Sequence, residues 1–253
     1  RPIMRENSGH ALERRMRTAV IGLVLSAVLF APAALAYDAY DPANCNGVGW
    51  SDQHSLVVSK VTAQPRVNFI KSPYDDDFKA ENCPAATDAC RKKSYLVTGD
   101  LVLVGKTRGE FTCVAYQSSA AKKPNWTTGW VPSTALTPVA PMATPNATDW
   151  SGTWSHPGGS IKIKQAGGGA LRIEGAMAVP GAQDTHTGVI EARVTPTRNI
   201  IAFVDDGSTP FEKTGDGECR VRMQRIGSWL LVEDNDGCGG AGVSFTGLYR
   251  RAK

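Results

Sequence analysis

The chain has 253 residues, 42% hydrophobic and 21% charged. That is the composition of an ordinary globular protein, which excludes wholesale disorder and leaves room for one large domain or two small ones. The formal net charge is +4, but five of the 28 basic and two of the 24 acidic residues fall in the first 36 positions. The remainder is close to neutral, so a general nucleic-acid role has no electrostatic support.

Near the start, Met16-Arg17 is a short basic region and Thr18–Phe30 an almost unbroken apolar run. Ala34-Leu35-Ala36 then gives the small-x-small pattern read by signal peptidase. Residues 1–36 are therefore expected to be a cleaved signal peptide with its true start at Met16, and the mature chain to begin at Tyr37. The run is short for a bilayer span, so no stable membrane span is expected after cleavage, and the location is periplasmic or secreted.

All six cysteines (45, 83, 90, 113, 219 and 238) lie after this leader. An exported chain with an even count favours disulfides over metal sites, and no pair has CxxC spacing. Cys83 and Cys90 flank one tight loop and are expected to pair. Cys219 and Cys238 follow: a turn at Gly227-Ser228 would put Cys219 opposite Asp236, two residues from Cys238.

Tyr37–Trp50 is a turn-rich lead-in with Cys45 as a tether. His54–Val61 and Arg66–Pro73 (RVNFIKSP) read as strands, the second stopping at a proline. Tyr74–Lys93 is a polar loop with the acidic run Asp75-Asp76-Asp77. Tyr95–Leu136 is the organising stretch, an antiparallel hairpin plus a return strand closing a small barrel. Its hairpin loop is placed at Gly105–Gly109, with Glu110–Tyr116 returning. If Gly105 faces Glu110, Val102 faces Cys113, which leaves Cys113 mid-strand and able to bridge to Cys45. Pro132–Leu136 reads as a single helical turn. Residues 138–149, proline-rich and small, form an extended linker.

From 150 to 253 the chain carries strand candidates at Ser160–Lys164, Ala170–Glu174, Gly188–Val194, Asn199–Val204, Cys219–Arg225, Trp229–Glu233 and Gly242–Arg250. Turn signals separate them at short intervals, which predicts an antiparallel barrel or sandwich.

Three motifs in the first half, RVNFIKSP, Thr98-Gly99-Asp100 and Gly129-Trp130-Val131 before a short turn and Leu136, resemble those of a bacterial Src-homology-3 (SH3) domain. The likeness covers roughly residues 55–137, a third of the chain. Ile70-Lys71-Ser72-Pro73 lacks the family's glycine, and the following loop is longer and carries two cysteines. The resemblance implies an SH3-like β-barrel over 37–137 that binds peptidoglycan or an envelope peptide or protein. In size, β content and single disulfide, residues 150–253 resemble small periplasmic lysozyme inhibitors, a likeness of architecture that transfers no residues.

Catalytic constellations are thin. A cysteine peptidase needs a free thiolate beside a histidine, and Cys113 sits on an expected strand. Asp184-Thr185-His186 lacks a second histidine for a zinc site and reads as a surface turn. Gly-x-Ser-x-Gly is absent. Glu233–Gly237 resembles part of a calcium loop but lacks the later ligands, so a polar hairpin turn pinned by a disulfide is expected. Gly167-Gly168-Gly169 precedes no helix and cradles no phosphate. Asp75–Asp77 and Asp205-Asp206 read as solvated loop charge.

The aromatic set is the better binding candidate, because flat rings stack on sugars or prolines. Phe69 and Trp130 are assigned to the core. Tyr74 and Trp126, beside polar loops, are expected to bind ligand, with Tyr95 and Tyr116 supporting them. The expectation is an all-β, two-domain, exported binding protein of the bacterial envelope, non-enzymatic, with no catalytic residues, metal or cofactor. The alternatives are an inhibitor of a secreted hydrolase and an accessory part of a cell-wall hydrolase.

Overall fold

Short alternating segments separated by glycine- and proline-rich turns build two antiparallel sheets and no long helix. The computed structural model describes residues 41–118, 125–205, 211–213 and 218–252. The expected signal segment and its Met16 start lie outside them. The described residues all fall within one compact unit that begins at Tyr37. No helix among them is long and apolar enough to cross a membrane.

The first sheet contains β1 (Val57–Val61), β2 (Arg66–Ile70), β3 (Arg91–Val97), β4 (Leu101–Arg108), β5 (Phe111–Tyr116), β6 (Thr127–Pro132) and β7 (Leu136–Pro138), in the order β3-β2-β6-β5-β4-β1-β7. Val61, Phe69, Leu96, Val102, Val114 and Val131, one from each of β1 to β6, form a single buried cluster. These side chains cover one another, which requires the sheet to curl. At Thr98-Gly99-Asp100 the Asp100 carboxylate accepts from the Val97 amide at 2.8 Å, and Gly99 takes a positive φ of 95° that glycine adopts without strain. Ser133–Ala135 forms the expected helical turn before β7.

The hairpin loop expected at Gly105–Gly109 is displaced. β4 runs on through Gly105 to Arg108, and Arg108 pairs with Phe111, so the turn is Gly109-Glu110. The register shifts between Val104 and Thr107, and Val104, rather than Val102, lies across from the Cys113 region, paired with Val114. The cause is the lead-in passing alongside: a Cβ on Gly105 would stand 2.9 Å from the Gly47 carbonyl oxygen. Gly105 therefore accommodates a neighbouring backbone and does not open a turn.

The second sheet contains β8 (Gly152–His156), β9 (Gly159–Gln165), β10 (Leu171–Pro180), β11 (Thr185–Val194), β12 (Ile200–Val204), β13 (Arg220–Ile226), β14 (Trp229–Asp234) and β15 (Gly247–Arg251). Its order, β11-β10-β9-β8-β15-β14-β13-β12, is two meanders joined through β8 and β15, a nearly closed up-and-down barrel. Inward positions fill it: Trp154, Ile161, Ile163, Leu171, Ile173, Val221, Met223, Leu230, Val232 and Tyr249 belong to one buried cluster with Trp150. At one end the Arg225 guanidinium lies 4.3 Å from the Trp154 ring centroid. Burial lowers that guanidinium to about 10, and neighbouring Arg251 adds to the effect.

The outer face of this barrel packs on the first sheet. Val58, Leu103 and Ala115 meet Ile226 and Leu231 in a buried cluster, where each fully buried Leu, Ile or Val contributes about 1.5–3 kcal/mol. The proline-rich stretch at 138–149 is hydrogen-bonded to both sheets, Val139 N–H to the Val58 carbonyl and Met142 N–H to the Arg225 carbonyl, both at 2.9 Å. It ends in one helical turn, Ala147–Trp150, capped by Asn146 and Asp149 in a reciprocal capping box.

The six cysteines form three disulfides, Cys45–Cys113, Cys83–Cys90 and Cys219–Cys238. The last follows from the register anticipated for β13 and β14: Val221 pairs with Asp234 around the Gly227-Ser228 turn. Three disulfides are typical of chains that fold in an oxidising compartment outside the cytoplasm.

Candidate functional site

Along β14, Leu230 and Val232 point into the barrel, and the same alternation turns Asp234 inward at its last position. On β8, Trp154 and then His156 do likewise. The two meet the segment Gly242–Thr246 at one mouth of the barrel, where they line a cleft of about 300 Å³. The first half of the chain supplies the roof, with Gly47, Gly49 and Trp50 of the lead-in and Trp126 just before β6. Barrel mouths are favoured places for small-molecule sites, and this volume is at the lower end of their range.

The floor is a hydrogen-bonded triad. Ser244 Oγ and Thr246 Oγ1 both donate to Asp234 Oδ1, at 2.5 and 2.8 Å. Thr246 Oγ1 accepts from the Asp234 amide at 3.0 Å, and Ser244 Oγ accepts from the Thr246 amide at 3.2 Å. Asp234 is 2% exposed. Burial raises its carboxyl above the ordinary carboxylate range against the Ser244, Thr246 and Phe245 hydrogen bonds, and Asp236 adds to the rise. Oδ2 of Asp234 has no hydrogen-bond partner among the described residues.

His156 stacks on Tyr249 with ring centroids 4.6 Å apart. A Cβ on residue 247 would stand 2.4 Å from His156 Nε2, so Gly247 is what lets the imidazole lie there. Neither ring nitrogen makes a hydrogen bond of standard geometry. Burial pushes the imidazole down to about 4, with a small opposing contribution from the Pro157 backbone. The folded chain therefore holds His156 neutral. Its stabilising contribution is complete above the ordinary value of 6.5 and is lost as pH falls from there toward 4, a loss of roughly 3 kcal/mol across that window. Asp234 acts in the opposite sense: its favoured neutral form stabilises the fold at low pH, and that contribution fades as pH rises through its folded value. Urea unfolding between pH 7.5 and 4 separates the two. The decline in stability on acidification is expected to flatten in His156→Gln, and an undiminished decline in that variant would contradict the assignment.

The lead-in that roofs the cleft is held from both sides. Cys45 is bridged to Cys113, and Asp52 pairs with Arg220. Arg222 Nη2 donates to the Ser51 and His54 carbonyls at 2.9 and 2.7 Å and to Glu233 Oε2 at 2.9 Å. Glu233 Oε2 also accepts the Leu56 amide at 3.0 Å. Trp50 lies over the same guanidinium, 4.6 Å from its ring centroid to Arg222 Cζ.

Comparison of the chain with family models, curated proteins and solved structures finds no match.

Of the four aromatics proposed from sequence, the fold brings Trp126 and Tyr116 together and leaves two apart. Trp126 is 37% exposed and lies between the cleft and a second, smaller groove lined by Tyr116 and Trp229. The Tyr116 hydroxyl donates to Asp100 at 3.3 Å, and burial followed by the Asp100 charge raises its pKa. Tyr95 stands on edge strand β3 with the Arg66 guanidinium 4.7 Å from its ring. Tyr74 is partly buried and donates to the Cys45 carbonyl at 3.3 Å. Phe69 and Trp130 are core residues, 1% and 0% exposed.

Two further expectations change. Glu233–Gly237 is not a polar hairpin turn: Glu233 and Asp234 complete β14 and are buried, and only the residues after them turn. Asp184-Thr185-His186 is not a surface turn throughout: Thr185 and His186 open β11, and His186 pairs with Asp184 at 3.0 Å. Among the described residues no group of three or more His, Cys, Asp or Glu is arranged to hold a metal ion. Sequence reading missed Asp234, Ser244, Thr246, His156 and Trp50. The usable signal was alternation, since Gly152–His156 and Trp229–Asp234 each place a polar residue in phase with inward apolar ones.

Proposed function

We propose that this chain is an exported, non-enzymatic binding protein of the bacterial envelope that recognises peptidoglycan, with a peptide or protein partner as the alternative ligand. The observation that carries the reading is the barrel-mouth cleft, with its aromatic roof and hydrogen-bonding floor. All six cysteines are bridged, which leaves no thiolate to act as a nucleophile. The order of the first sheet and the helical turn before its last strand support the SH3-like reading of residues 55–137. Three disulfides support periplasmic or secreted folding.

Sedimentation with isolated peptidoglycan tests the proposal. The purified chain is expected to pellet with the sacculi, well above a control protein of similar charge, and an equal distribution would sink the reading. A second reading, inhibition of a secreted hydrolase, draws on the eight-stranded barrel and its Cys219–Cys238 bridge. Unchanged lysozyme turnover in the presence of the protein would count against it.

A further inference from the structure

The floor of the cleft has a fixed hydrogen-bond polarity. A hydroxyl carries one proton and two lone pairs. Ser244 and Thr246 each commit the proton to Asp234 Oδ1 and one lone pair to a backbone amide. What each has left is one acceptor site, and both side chains are partly exposed. A ligand resting on this floor must therefore donate.

The charge of the site narrows the ligand further. Among the described residues lining the cleft there is no Lys or Arg, and the ionisable carboxyls are Asp234 and Asp236. A phosphate or carboxylate ligand would meet these two carboxyls with no basic residue among the described lining residues to offset its charge. A full positive charge would find only the exposed Asp236 to pair with, because the Asp234 carboxyl is buried and its Oδ1 takes both hydroxyls. On the floor itself an ammonium group would leave water for the neutral Ser244 and Thr246 oxygens, which costs more than moving a neutral hydroxyl. Trp126 supplies a flat, partly exposed ring at the edge of the same space. A ligand with an apolar face and several donors on its edge matches both features.

We propose that the cleft binds a neutral sugar ring of a glycan, whose hydroxyls donate to Ser244 and Thr246 while its C–H face lies on Trp126. The inference rests on the binding reading above and deepens it by naming the part of the wall polymer that is recognised. It places recognition at the mouth of the second barrel, under the lead-in, and not on the exposed edge of the first sheet. The glycan is selected by its neutrality and its donors; the peptide stems of a cell wall, which carry carboxylates, are not.

Titration calorimetry of the full chain with chitotetraose, maltotetraose and tri-lysine tests this. At least one neutral oligosaccharide is expected to bind saturably and tri-lysine not to bind. Trp126→Ala is expected to weaken the sugar by about tenfold, with the thermal midpoint little changed because the ring is partly exposed, and Trp126→Phe to retain most of the affinity. Ser244→Ala is expected to weaken it about three- to tenfold. No saturable heat with either oligosaccharide at millimolar concentration, or saturable binding of tri-lysine alone, would overturn the proposal. So would full sugar affinity in Trp126→Ala. Pelleting with sacculi that is unaffected by Trp126→Ala, together with no sugar binding, would leave the envelope reading standing and remove the cleft from it. Sugar binding without pelleting would do the reverse.

Discussion

Replacing both Cys45 and Cys113 by alanine is expected to cost about 4 kcal/mol of unfolding free energy, the largest loss of any single bridge. Their sequence separation is 68, against 19 for Cys219–Cys238 and 7 for Cys83–Cys90. In the chain-entropy model the constraint on the unfolded chain grows with the logarithm of the closed loop, so the shortest bridge should contribute about 2–3 kcal/mol. The native state adds to the asymmetry. Cys45 and Cys113 are buried in one cluster with Trp130, whose indole N–H donates to the Ala43 carbonyl at 3.1 Å. Losing the bridge loosens the lead-in as well as the chain. Urea denaturation of the two double variants checks the order: a smaller loss for Cys45/Cys113 than for Cys83/Cys90 would contradict it. Sugar affinity should fall in the Cys45/Cys113 variant under conditions where it remains folded, because Gly47–Trp50 roof the cleft.

Removing the Glu233 carboxylate alone should be nearly as damaging. Glu233 is 1% and Arg222 5% exposed, and the pair sits across a β13–β14 register position where the lead-in covers it. Glu233→Ala leaves a buried guanidinium without its counter-charge and the Leu56 amide without an acceptor. Breaking one side of a buried pair costs about 3–5 kcal/mol. Replacing both partners by apolar residues of similar size, Arg222→Met with Glu233→Leu, is expected to recover a substantial part of that loss. The recovery stays incomplete here, because Arg222 also holds the Ser51 and His54 carbonyls. A double-mutant cycle in urea measures the coupling. Additive single losses, with no recovery in the pair, would show that the two side chains act independently.

Much of the fold was legible because local pattern and final structure agree. SIKIK alternates strictly and lies within β9, and the Gly227-Ser228 turn fixes the register that brings Cys219 to Cys238. The cleft was harder to read because burial there depends on partners remote in the chain. Glu233-Asp234-Asn235-Asp236-Gly237 has the composition of a turn, and only the lead-in and the segment Ser244–Thr246, placed by β15, bury its first two members. Gly105 looks like a turn glycine until Gly47 is seen beside it. Trp126 could be found because polar residues flank it. Trp50, in a glycine-rich lead-in with no strand pattern, could not.

The arrangement of the second sheet also dictates an order of assembly. Six of its seven ladders join strands that follow each other directly in the chain, β8 to β11 and β12 to β15. Four of these hairpins close loops of 2 to 5 residues, which form quickly. The seventh, between β15 and β8, pairs Arg251 with Trp154 and Arg250 with Ser155. It must bring together the two most distant strands of the sheet, so its loop-closure entropy is met only after both meanders exist. Substitutions within either meander that are already felt at the folding barrier should slow folding, whereas those at the β8–β15 seam should chiefly speed unfolding. Asp234, Ser244, Thr246 and His156 come from both sides of that seam. The barrel mouth is therefore completed by the same late step that closes the barrel.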